Sequence, residues 1–220
     1  MLAVPRDMLI APYGDGRVNT LRLWEAHSPN DLDMYLFAAG SYVQSLEQRT
    51  MAEVITKVLY PADDHVEGKL LRLKQQYFFI SATAQDIVRK HIRTWGDIRS
   101  FSKHHIIQIN DTHPTMIIPE LMRIFMDEDG LGWDEAWNIV SNCVAYTNHT
   151  IMSEALETWP QGLVQSLLPR VFEIISEINR RWRAVLSEKF GGDGAKIARN
   201  AVIEGGKVHM ANMCLAGCYM

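Results

Sequence analysis

The sequence predicts an α/β fold with a mostly parallel sheet, and three observations support this. Short strand-like runs alternate along the chain with segments of helical periodicity. Two polar clusters, 110–114 and 145–150, follow strand-like runs at 105–109 and 143–146. In open α/β sheets, ligands bind beyond the carboxyl ends of parallel strands, so such clusters are typical of that class. Apolar residues make up 47% of the 220 residues, enough for a sizeable core in one large domain or two small ones.

The first half of the chain predicts one strand and several helices. In order, the pattern indicates a strand at Val18–Trp24, a loop with a short turn at Asn30–Gly40, helices at Ser41–Gln48 and Thr50–Leu59, and a loop at Tyr60–Val66. A long helix follows over Glu67–Arg93, with an inward side formed by Leu70, Leu73, Tyr77, Ile80, Ala84, Ile87 and Val88. Further apolar residues lie outside that side, so we expect this helix to be largely buried.

The second half alternates strands and helices. The pattern predicts a connection at Thr94–Lys103, a buried strand at His105–Asn110, helices at Thr115–Asp129 and Trp133–Asn142, and a strand at Cys143–Tyr146. It then predicts helix or loop from Glu154 to Pro169, a helix at Arg170–Phe190 with Ile174, Ile175, Ile178, Trp182 and Val185 inward, a short helix at Lys196–Val202, and a strand at Val208–Leu215. Pro114 and Gly130 bound the first of these helices, because Pro suits a helix start and Gly follows a helix end.

Composition excludes several classes of protein. The net charge of −4 gives no reason to expect a nucleic acid or an anionic membrane as partner. No apolar run approaches the ~18 residues of a membrane span, and the first residues lack the pattern of a signal peptide. Three cysteines fit a reducing cytoplasm better than a disulfide framework, and their spacing predicts no metal site.

The residue types in the two polar clusters suit a hydroxyl-rich ligand. Asn, Asp, His and Thr together offer hydrogen-bond donors and acceptors, as recognition of a sugar requires. The alternative at this point is structural, namely that Asp111 and Asn148 cap the helices that follow them.

The same clusters carry a family resemblance that runs from about Ala3 to Gly217. Matching segments, in the family's order, are Val18–Trp24, Val58–Pro61, Glu67–Lys69, Leu71–Phe78, Asn110–Pro114, Ile118–Leu121, Tyr146–Thr150, Glu154–Glu157 and Leu167–Arg170. On these segments the chain resembles the α-glucan phosphorylases, the glycogen and maltodextrin phosphorylase family.

The resemblance implies a fold, an activity and a cofactor. The family cleaves terminal α-1,4-glucosyl units of a glucan with inorganic phosphate and releases glucose 1-phosphate. Its two Rossmann-like domains form a GT-B glycosyltransferase fold, and a lysine in the C-terminal domain holds pyridoxal phosphate. Residues 1–220 are thus expected to be part of the N-terminal domain, with that lysine and the phosphate-binding residues beyond Met220. The resemblance further implies a cytoplasmic, homodimeric parent, whereas the chain alone is expected to be inactive, without cofactor, and to self-associate.

The resemblance also assigns roles around the sugar. His149 matches the family histidine that hydrogen-bonds the glucosyl unit as the oxocarbenium-like state forms, and it is the expected catalytic residue. A donor placed where charge shifts contributes to transition-state binding. Asp111 and His113 match residues that face the next sugar, on the acceptor side.

Five further residues match family positions but have structural alternatives. Asp63 and Asp64 match a gate loop that contacts substrate, although the second position is commonly Asn and both could be solvated loop charges. Tyr60 matches an aromatic residue that stacks on the glucan, or it packs beside its neighbour. Arg89 and Lys90 match a basic pair that binds a nucleotide effector in animal members, or they offset the dipole at a helix end.

Two readings of function remain at this stage. One is a phosphorylase, for which this chain supplies one wall of the sugar site. The other is a non-catalytic glucan-binding or interaction module that uses the same residues. A glycosidase is not favoured. Its chemistry needs two carboxyl groups at a fixed separation, which nothing in the sequence establishes, and no segment resembles a hydrolase.

Overall fold

The computed structural model describes residues 1–14, 16–150, 152 and 156–220. The chain divides into two compact units, Met1–Ala82 and Thr83–Met220. Each unit contains hydrogen-bonded strands and several helices, so the α/β class is confirmed, with small parallel and antiparallel sheets. Within the described part of the chain, no helix has the length and apolar character needed to cross a bilayer.

The first unit begins with a two-stranded antiparallel sheet. Its strands are β1 (Leu2–Ile10) and β2 (Asn19–His27). Asp7 and Arg22 face each other across the pair, and Arg22 Nη2 lies 2.6 Å from Asp7 Oδ2. The helices that follow are α1 (Met34–Ala38), α2 (Glu47–Lys57) and α3 (Val66–Trp95), of which the residues from Thr83 onward belong to the second unit. The predicted strand at Val18–Trp24 is confirmed, whereas the sequence patterns had not indicated β1.

A buried amide fixes the end of α2 against α3. The side chain of Gln75 on α3 is 4% exposed. Its Nε2 donates to the carbonyl oxygens of Ile55 at 2.9 Å and Val58 at 2.8 Å. The last carbonyls of a helix lack partners within the helix, so these two bonds satisfy groups that burial would otherwise leave unpaired. They also anchor the backbone that leads into the loop at 60–65.

The second unit contains a parallel pair of strands joined through helices. A short helix α4 (Phe101–His104) precedes β3 (Ile107–Asn110), and β4 (Val144–Thr147) pairs with β3 in parallel, from Ile107 opposite Val144 to Asn110 opposite Thr147. Between the two strands lie α5 (Ile117–Arg123), which continues as a π-helical turn to Glu128, and α6 (Trp133–Ser141). This pair is parallel, as the alternating pattern predicts, and the carboxyl ends of both strands lie at one edge. The other two sheets of the described chain are antiparallel, so the expectation of a mostly parallel sheet is not met.

The rest of the second unit is mainly helical with a small antiparallel sheet. Its elements are β5 (Thr158–Pro160), α7 (Gln161–Leu167), α8 (Pro169–Lys189), α9 (Gly194–Asn200), β6 (Ile203–Glu204), β7 (Lys207–His209) and α10 (Met210–Tyr219). The strand order in this sheet is β5-β7-β6. The predicted helices at Trp133–Asn142 and Arg170–Phe190 are confirmed to within one residue at each end.

The core of this unit centres on α5, where all residues from Ile117 to Met122 are buried. One of them is a carboxylate. Glu120 is fully buried, and its two oxygens accept bonds of 2.9 Å from Nε and Nη2 of Arg123. A bidentate guanidinium partner of this kind compensates for the desolvation of a buried charge.

The strand predicted over Val208–Leu215 is wrong. The strand β7 ends at His209, and α10 begins at Met210. From His209 to Tyr219 the chain has no β-branched residue and is rich in Met, Ala and Leu, which favour helices. Periodicity cannot separate a short apolar strand from a buried helix. The predicted strand implied an uncovered apolar sheet face as the basis for self-association, and this is also wrong, because Met213, Cys214 and Ala216 are buried on α10.

Burial differs from expectation in three elements. In α3, Leu73, Ala84 and Val88 are buried, but most other side chains are only partly covered, so the helix is not largely buried. In α8 the inward residue near the end is Leu186, at 2% exposure, rather than Val185, at 36%. In β3 only Ile109 is buried, so this strand is not the buried strand that its apolar residues predicted.

Several predicted boundaries also change. The predicted loop at Asn30–Gly40 contains α1, because Asp33 Oδ1 accepts bonds from the backbone N–H groups of Tyr35 and Leu36 and caps a helix. The predicted helix at Ser41–Gln48 is one 3₁₀ turn at Gln44–Leu46 that leads into α2. The connection at 94–103 contains a 3₁₀ turn and most of α4. The predicted helix or loop at 154–169 contains β5 and α7, and its first two residues lie outside the described part of the chain.

Candidate functional site

Two polar turns meet at the carboxyl ends of β3 and β4. The last residues of the two strands, Asn110 and Thr147, are partners in the parallel ladder. The next backbone N–H, that of Asp111, donates to the carbonyl of Thr147 at 2.8 Å. Gln108 adds a side-chain bond, from Nε2 to Thr147 Oγ1 at 2.7 Å. The sequence prediction that both clusters lie at one edge of a parallel sheet is therefore confirmed.

The turn after β3 is held in an unusual backbone conformation. Asp111 has φ +63°, in the left-handed region that Asn and Asp tolerate better than most side chains. Its Oδ1 accepts a bond of 2.7 Å from the N–H of Thr112. Beneath it, Thr115 is fully buried, and its hydroxyl donates to the carbonyl of Thr112 at 2.7 Å. These bonds fix the direction in which the turn presents Asp111 and His113, which are both partly exposed.

The turn after β4 presents His149. The ring nitrogen Nε2 of this exposed residue lies 2.6 Å from Oδ1 of Asn110, on the neighbouring strand. Asn148 closes its own turn, since its Nδ2 donates to the carbonyl of Thr150 at 2.5 Å and its Oδ1 accepts from the N–H of Thr150 at 3.3 Å. His149 is thus held on both sides, by its turn and by the end of β3.

The capping alternative does not explain Asp111. The residue that caps α5 is Met116, and no side chain there bonds the helix N–H groups. The carboxylate of Asp111 bonds the adjacent Thr112 instead, as in an Asx-type turn. For Asn148, residues 151 and 153–155 lie outside the described part of the chain. Among the described residues, Asn148 stabilises the turn that carries His149.

A buried phenol lies beside this edge. The hydroxyl oxygen of Tyr146, on β4, is buried and has no hydrogen-bond partner among the described residues. Burial raises the pKa of Tyr146 to about 12, with smaller contributions from Cys214 and Asp111. Sequence reasoning did not single out this side chain. The only signal was its place in the resembling segment.

The loop at 60–65 in the first unit forms a separate cluster around Arg72. Arg72 Nη1 makes a short ion pair with Oδ2 of Asp63. The guanidinium carbon of Arg72 also lies 5.8 Å from the centroid of the Tyr60 ring, within the range of a cation–π contact. Tyr60 is 68% exposed and has φ +55°, so the loop holds its ring outward. Arg72 is a residue that sequence reasoning did not assign to the site, although it lies in a matching segment.

The remaining loop residues line the start of α3. Asp64 Oδ1 lies 3.9 Å from His65 Nε2, and the carboxylate of Asp64 is largely exposed. His65 turns towards the helix, where its Nδ1 accepts a bond of 3.0 Å from the N–H of Gly68. Tyr60 and Asp63 are therefore brought together by Arg72, whereas Asp64 lies at the solvent side of the loop.

Arg89 and Lys90 are exposed in the body of α3, more than one turn before its end at Trp95. Lys90 Nζ pairs with Oδ2 of Asp86 at 2.8 Å, and Arg89 Nε donates to the carbonyl of Gln85 at 3.2 Å. They lie outside the last turn, where the helix dipole acts most strongly. Their effector role stays a prediction.

The edge formed by the two turns carries hydrogen-bonding groups of the kind that suit a polyhydroxylated ligand. Asn110, Asp111, His113 and His149 combine acceptors with imidazole groups that donate or accept. Within the described ranges, no group of three or more His, Cys, Asp or Glu side chains is placed to hold a metal ion. The three cysteines are free, and burial raises the pKa of Cys143 and of Cys214 to about 12.

Comparison with known proteins gives one consistent result. A family model described as carbohydrate phosphorylase matches residues 1–220. The chain is 44% identical over 232 aligned residues to the muscle form of glycogen phosphorylase from Ovis aries. It is 44% identical to the liver form and 43% identical to the brain form from Bos taurus, over 230 and 232 residues. Each alignment covers 100% of this chain but 27% of the relative, so the chain spans about a quarter of the length of these relatives.

Proposed function

Because the chain belongs to the carbohydrate phosphorylase family, we propose that it is part of a glycogen or α-1,4-glucan phosphorylase. In this reaction the bond between C1 of the terminal glucosyl unit and O4 of the next sugar breaks. A bond from C1 to a phosphate oxygen forms, and O4 of the shortened glucan takes up a proton. The observation that carries the proposal is the meeting of the turns after β3 and β4, with His149 bonded to Asn110.

The residues at this edge are assigned contacts with two neighbouring sugar units. His149 contacts the glucosyl unit that is transferred. This contact stabilises the transition state, in which charge develops on the sugar ring, more than it stabilises the bound substrate. Asp111 and His113 contact the sugar on the acceptor side. The constrained backbone of Asp111 and the buried hydroxyl of Thr115 support this assignment, because a site needs preorganised groups to gain from such contacts.

The loop at 60–65 is assigned to substrate access. Tyr60 offers an exposed aromatic ring, which suits stacking against a sugar. Asp63 and Asp64 are assigned to a gate that contacts substrate when it closes. The parallel β3–β4 pair with its helical crossover supports a further proposal, that this unit belongs to a Rossmann-like sheet of a two-domain GT-B fold.

Pyridoxal phosphate is the cofactor proposed for the full-length protein, but the described residues do not fit it. A lysine that holds this group as an imine must be shielded and deprotonated at its amine. None of the eight lysines of this chain is buried. We therefore assign the cofactor to other parts of the full-length protein.

The proposal extends to partners and compartment. Inorganic phosphate and an α-1,4-glucan are the substrates, and the full-length protein is a homodimer in the cytoplasm, a reducing compartment that suits three free cysteines. Self-association of the 220-residue chain is proposed on a new basis, the exposed apolar side chains of β1. Met8 is 58% exposed, Leu9 71% and Ile10 49%, and a strand edge with such residues favours association. A monodisperse monomer in light scattering would oppose this.

The test uses the full-length protein that contains this segment, with glycogen and maltodextrin as glucans. We expect glucose 1-phosphate to appear only when inorganic phosphate is present. His149→Ala should lower kcat by about 10²-fold, the scale of one lost preorganised donor, with KM for glucan changed by less than ~3-fold. His104→Ala, at an exposed histidine of α4 outside both turns, serves as the matched control.

Two results would refute the assignment. Binding of glucan without any release of glucose 1-phosphate would favour the alternative of a non-catalytic binding module. A His149→Ala variant with raised KM and unchanged kcat would show that this side chain binds the ground state only, and that another group stabilises the transition state.

A further inference from the structure

The side-chain amide oxygen of Asn110 is placed so that it determines which ring nitrogen of His149 carries a proton. The distance from Asn110 Oδ1 to His149 Nε2 is 2.6 Å. An amide oxygen only accepts hydrogen bonds, so the imidazole nitrogen that faces it must be the N–H. In a neutral ring the other nitrogen, Nδ1, is then the acceptor.

We propose that Asn110 is a positioning residue for His149, which fixes the tautomer and the direction of the ring so that Nδ1 faces the substrate. The inference deepens the proposed function and rests on it, because it assumes that His149 contacts the transferred sugar. With Nε2 committed to Asn110, a neutral His149 accepts a hydrogen bond from a sugar hydroxyl at Nδ1. A charged His149 donates from the same atom. The amide oxygen accepts from Nε2 in both states, so it selects orientation rather than charge.

The scaffold around Asn110 is suited to this task. Asn110 ends β3 and is paired in register with Thr147 on β4, and the next N–H bonds the carbonyl of Thr147 at 2.8 Å. The side chain of Asn110 has only two rotatable bonds, and its backbone is fixed by the pairing of β3 with β4. His149, by contrast, is exposed and lies two residues beyond the end of its strand. Without a partner on β3, its ring would be free to rotate, and the contact with the sugar would lose preorganisation.

Gln108 provides a matched control on the same strand. Its Nε2 donates to Oγ1 of Thr147 at 2.7 Å, so it too makes an exposed side-chain bond between β3 and β4. This bond does not involve His149. Gln108→Ala therefore removes a comparable cross-strand interaction and leaves the histidine partner in place.

The first experiment is a mutant cycle in the full-length protein. We expect Asn110→Ala to lower kcat about tenfold and to change KM for glucan by less than ~3-fold, since a misplaced group costs transition-state binding more than ground-state binding. Gln108→Ala should keep kcat within about twofold. In a His149→Ala background, Asn110→Ala should cost almost nothing more, because residues that act as a unit are not additive.

The second experiment reads the tautomer directly in the 220-residue chain. Nitrogen-15 NMR of labelled histidine distinguishes Nε2–H from Nδ1–H, and the signal of His149 is assigned by its loss in His149→Gln. We expect the Nε2–H form in the wild type and a mixture of tautomers in Asn110→Ala. Asn110→Asp keeps an oxygen acceptor in the same place, so it should restore the Nε2–H form and more than half of the lost kcat.

The outcomes separate the inference from the proposed function. If the wild-type protein releases no glucose 1-phosphate, the proposed function fails, and the NMR result alone decides whether Asn110 orients the ring. An Nδ1–H tautomer in the wild type would overturn the inference, whatever the activity. It would also be overturned if Asn110→Ala lowers kcat equally with and without His149, because Asn110 would then act independently.

Discussion

Replacement of Gly68 by alanine tests how tightly the loop at 60–65 packs against the start of α3. Gly68 is buried and is the third residue of the helix. A Cβ atom built on it would lie 1.7 Å from the carbonyl oxygen of Ala62 and 2.9 Å from the carbonyl carbon. Both are backbone atoms, so no rotation of a side chain relieves the overlap. The loop must move by roughly 1.7 Å to reach an ordinary contact of 3.4 Å.

The expected cost follows from two opposing contributions. Alanine in a helix is more favourable than glycine by about 0.5–1 kcal/mol. Forcing an extra methyl group into a packed site costs about 1–3 kcal/mol. Gly162, the second residue of α7, provides the matched control, because a Cβ atom there meets nothing within 4 Å. The difference in the free energy of unfolding between Gly68→Ala and Gly162→Ala should therefore equal the steric cost, about 1–3 kcal/mol.

The assay is urea denaturation of the two variants and the wild type, followed by circular dichroism. With an m value of about 2 kcal/mol/M, the two midpoints should differ by about 1 M, with Gly68→Ala the less stable. Hydrogen exchange should show faster opening of residues 60–65 in Gly68→Ala alone. If both variants are equally stabilised and the loop exchanges as in the wild type, the close approach of Ala62 to the helix does not exist in solution.

Three further outcomes are expected. Thr115→Val keeps a similar volume but removes the hydroxyl that donates to the carbonyl of Thr112 at 2.7 Å, while that carbonyl keeps the 3.2 Å bond from the Thr115 N–H. The loss should cost about 0.5–1.5 kcal/mol in urea unfolding, and Thr115→Ser should cost less. Arg72→Lys keeps the charge but loses the planar contact with Tyr60, so it should change stability by less than ~1 kcal/mol yet speed proteolysis of the loop. Burial and the nearby His91 lower the pKa of His105 below 6.5 in the folded state. As the pH falls, this side chain is therefore protonated in the unfolded state before it is protonated in the folded state. Stability should fall as pH drops through 6.5 towards the folded pKa, and this dependence should be weaker in His105→Gln.

The sequence predicted those parts of the site that depend on local patterns. Apolar runs followed by polar clusters placed the strands and their turns correctly, because parallel strands joined by helices end at the same edge. The long helices followed from a period near 3.6. The strand β1 was not predicted, because Leu2–Ile10 contains a proline and two charged residues. Its extended form depends on pairing with β2, which is an interaction in space rather than a local preference.

Contacts between residues distant in sequence were not predictable from patterns. His149 and Asn110 are 39 positions apart, and only the register of β3 against β4 brings them together. Arg72 reaches Asp63 because α3 begins directly after the loop and turns this side chain back towards it. The error at Val208–Leu215 has a different cause. A short, mostly apolar segment of this kind fits either a strand or a buried helix, and the choice depends on what packs against it.

The two groups of site residues differ in how firmly they are held, and this difference predicts different kinetic behaviour. The turn after β4, which carries His149, is fixed by the bonds between Asn148 and Thr150 and by the contact of His149 Nε2 with Asn110 Oδ1. The loop around Asp63 is held by a partly exposed ion pair, which contributes little to stability. Rigid groups act mainly on the transition state, whereas loops that open and close affect binding and turnover together. Changes at His149 should therefore lower kcat with little effect on KM, and changes at Asp63 or Asp64 should alter both. Loss of kcat alone in Asp63→Asn would show that this carboxylate is as preorganised as the turn and is not part of a gate.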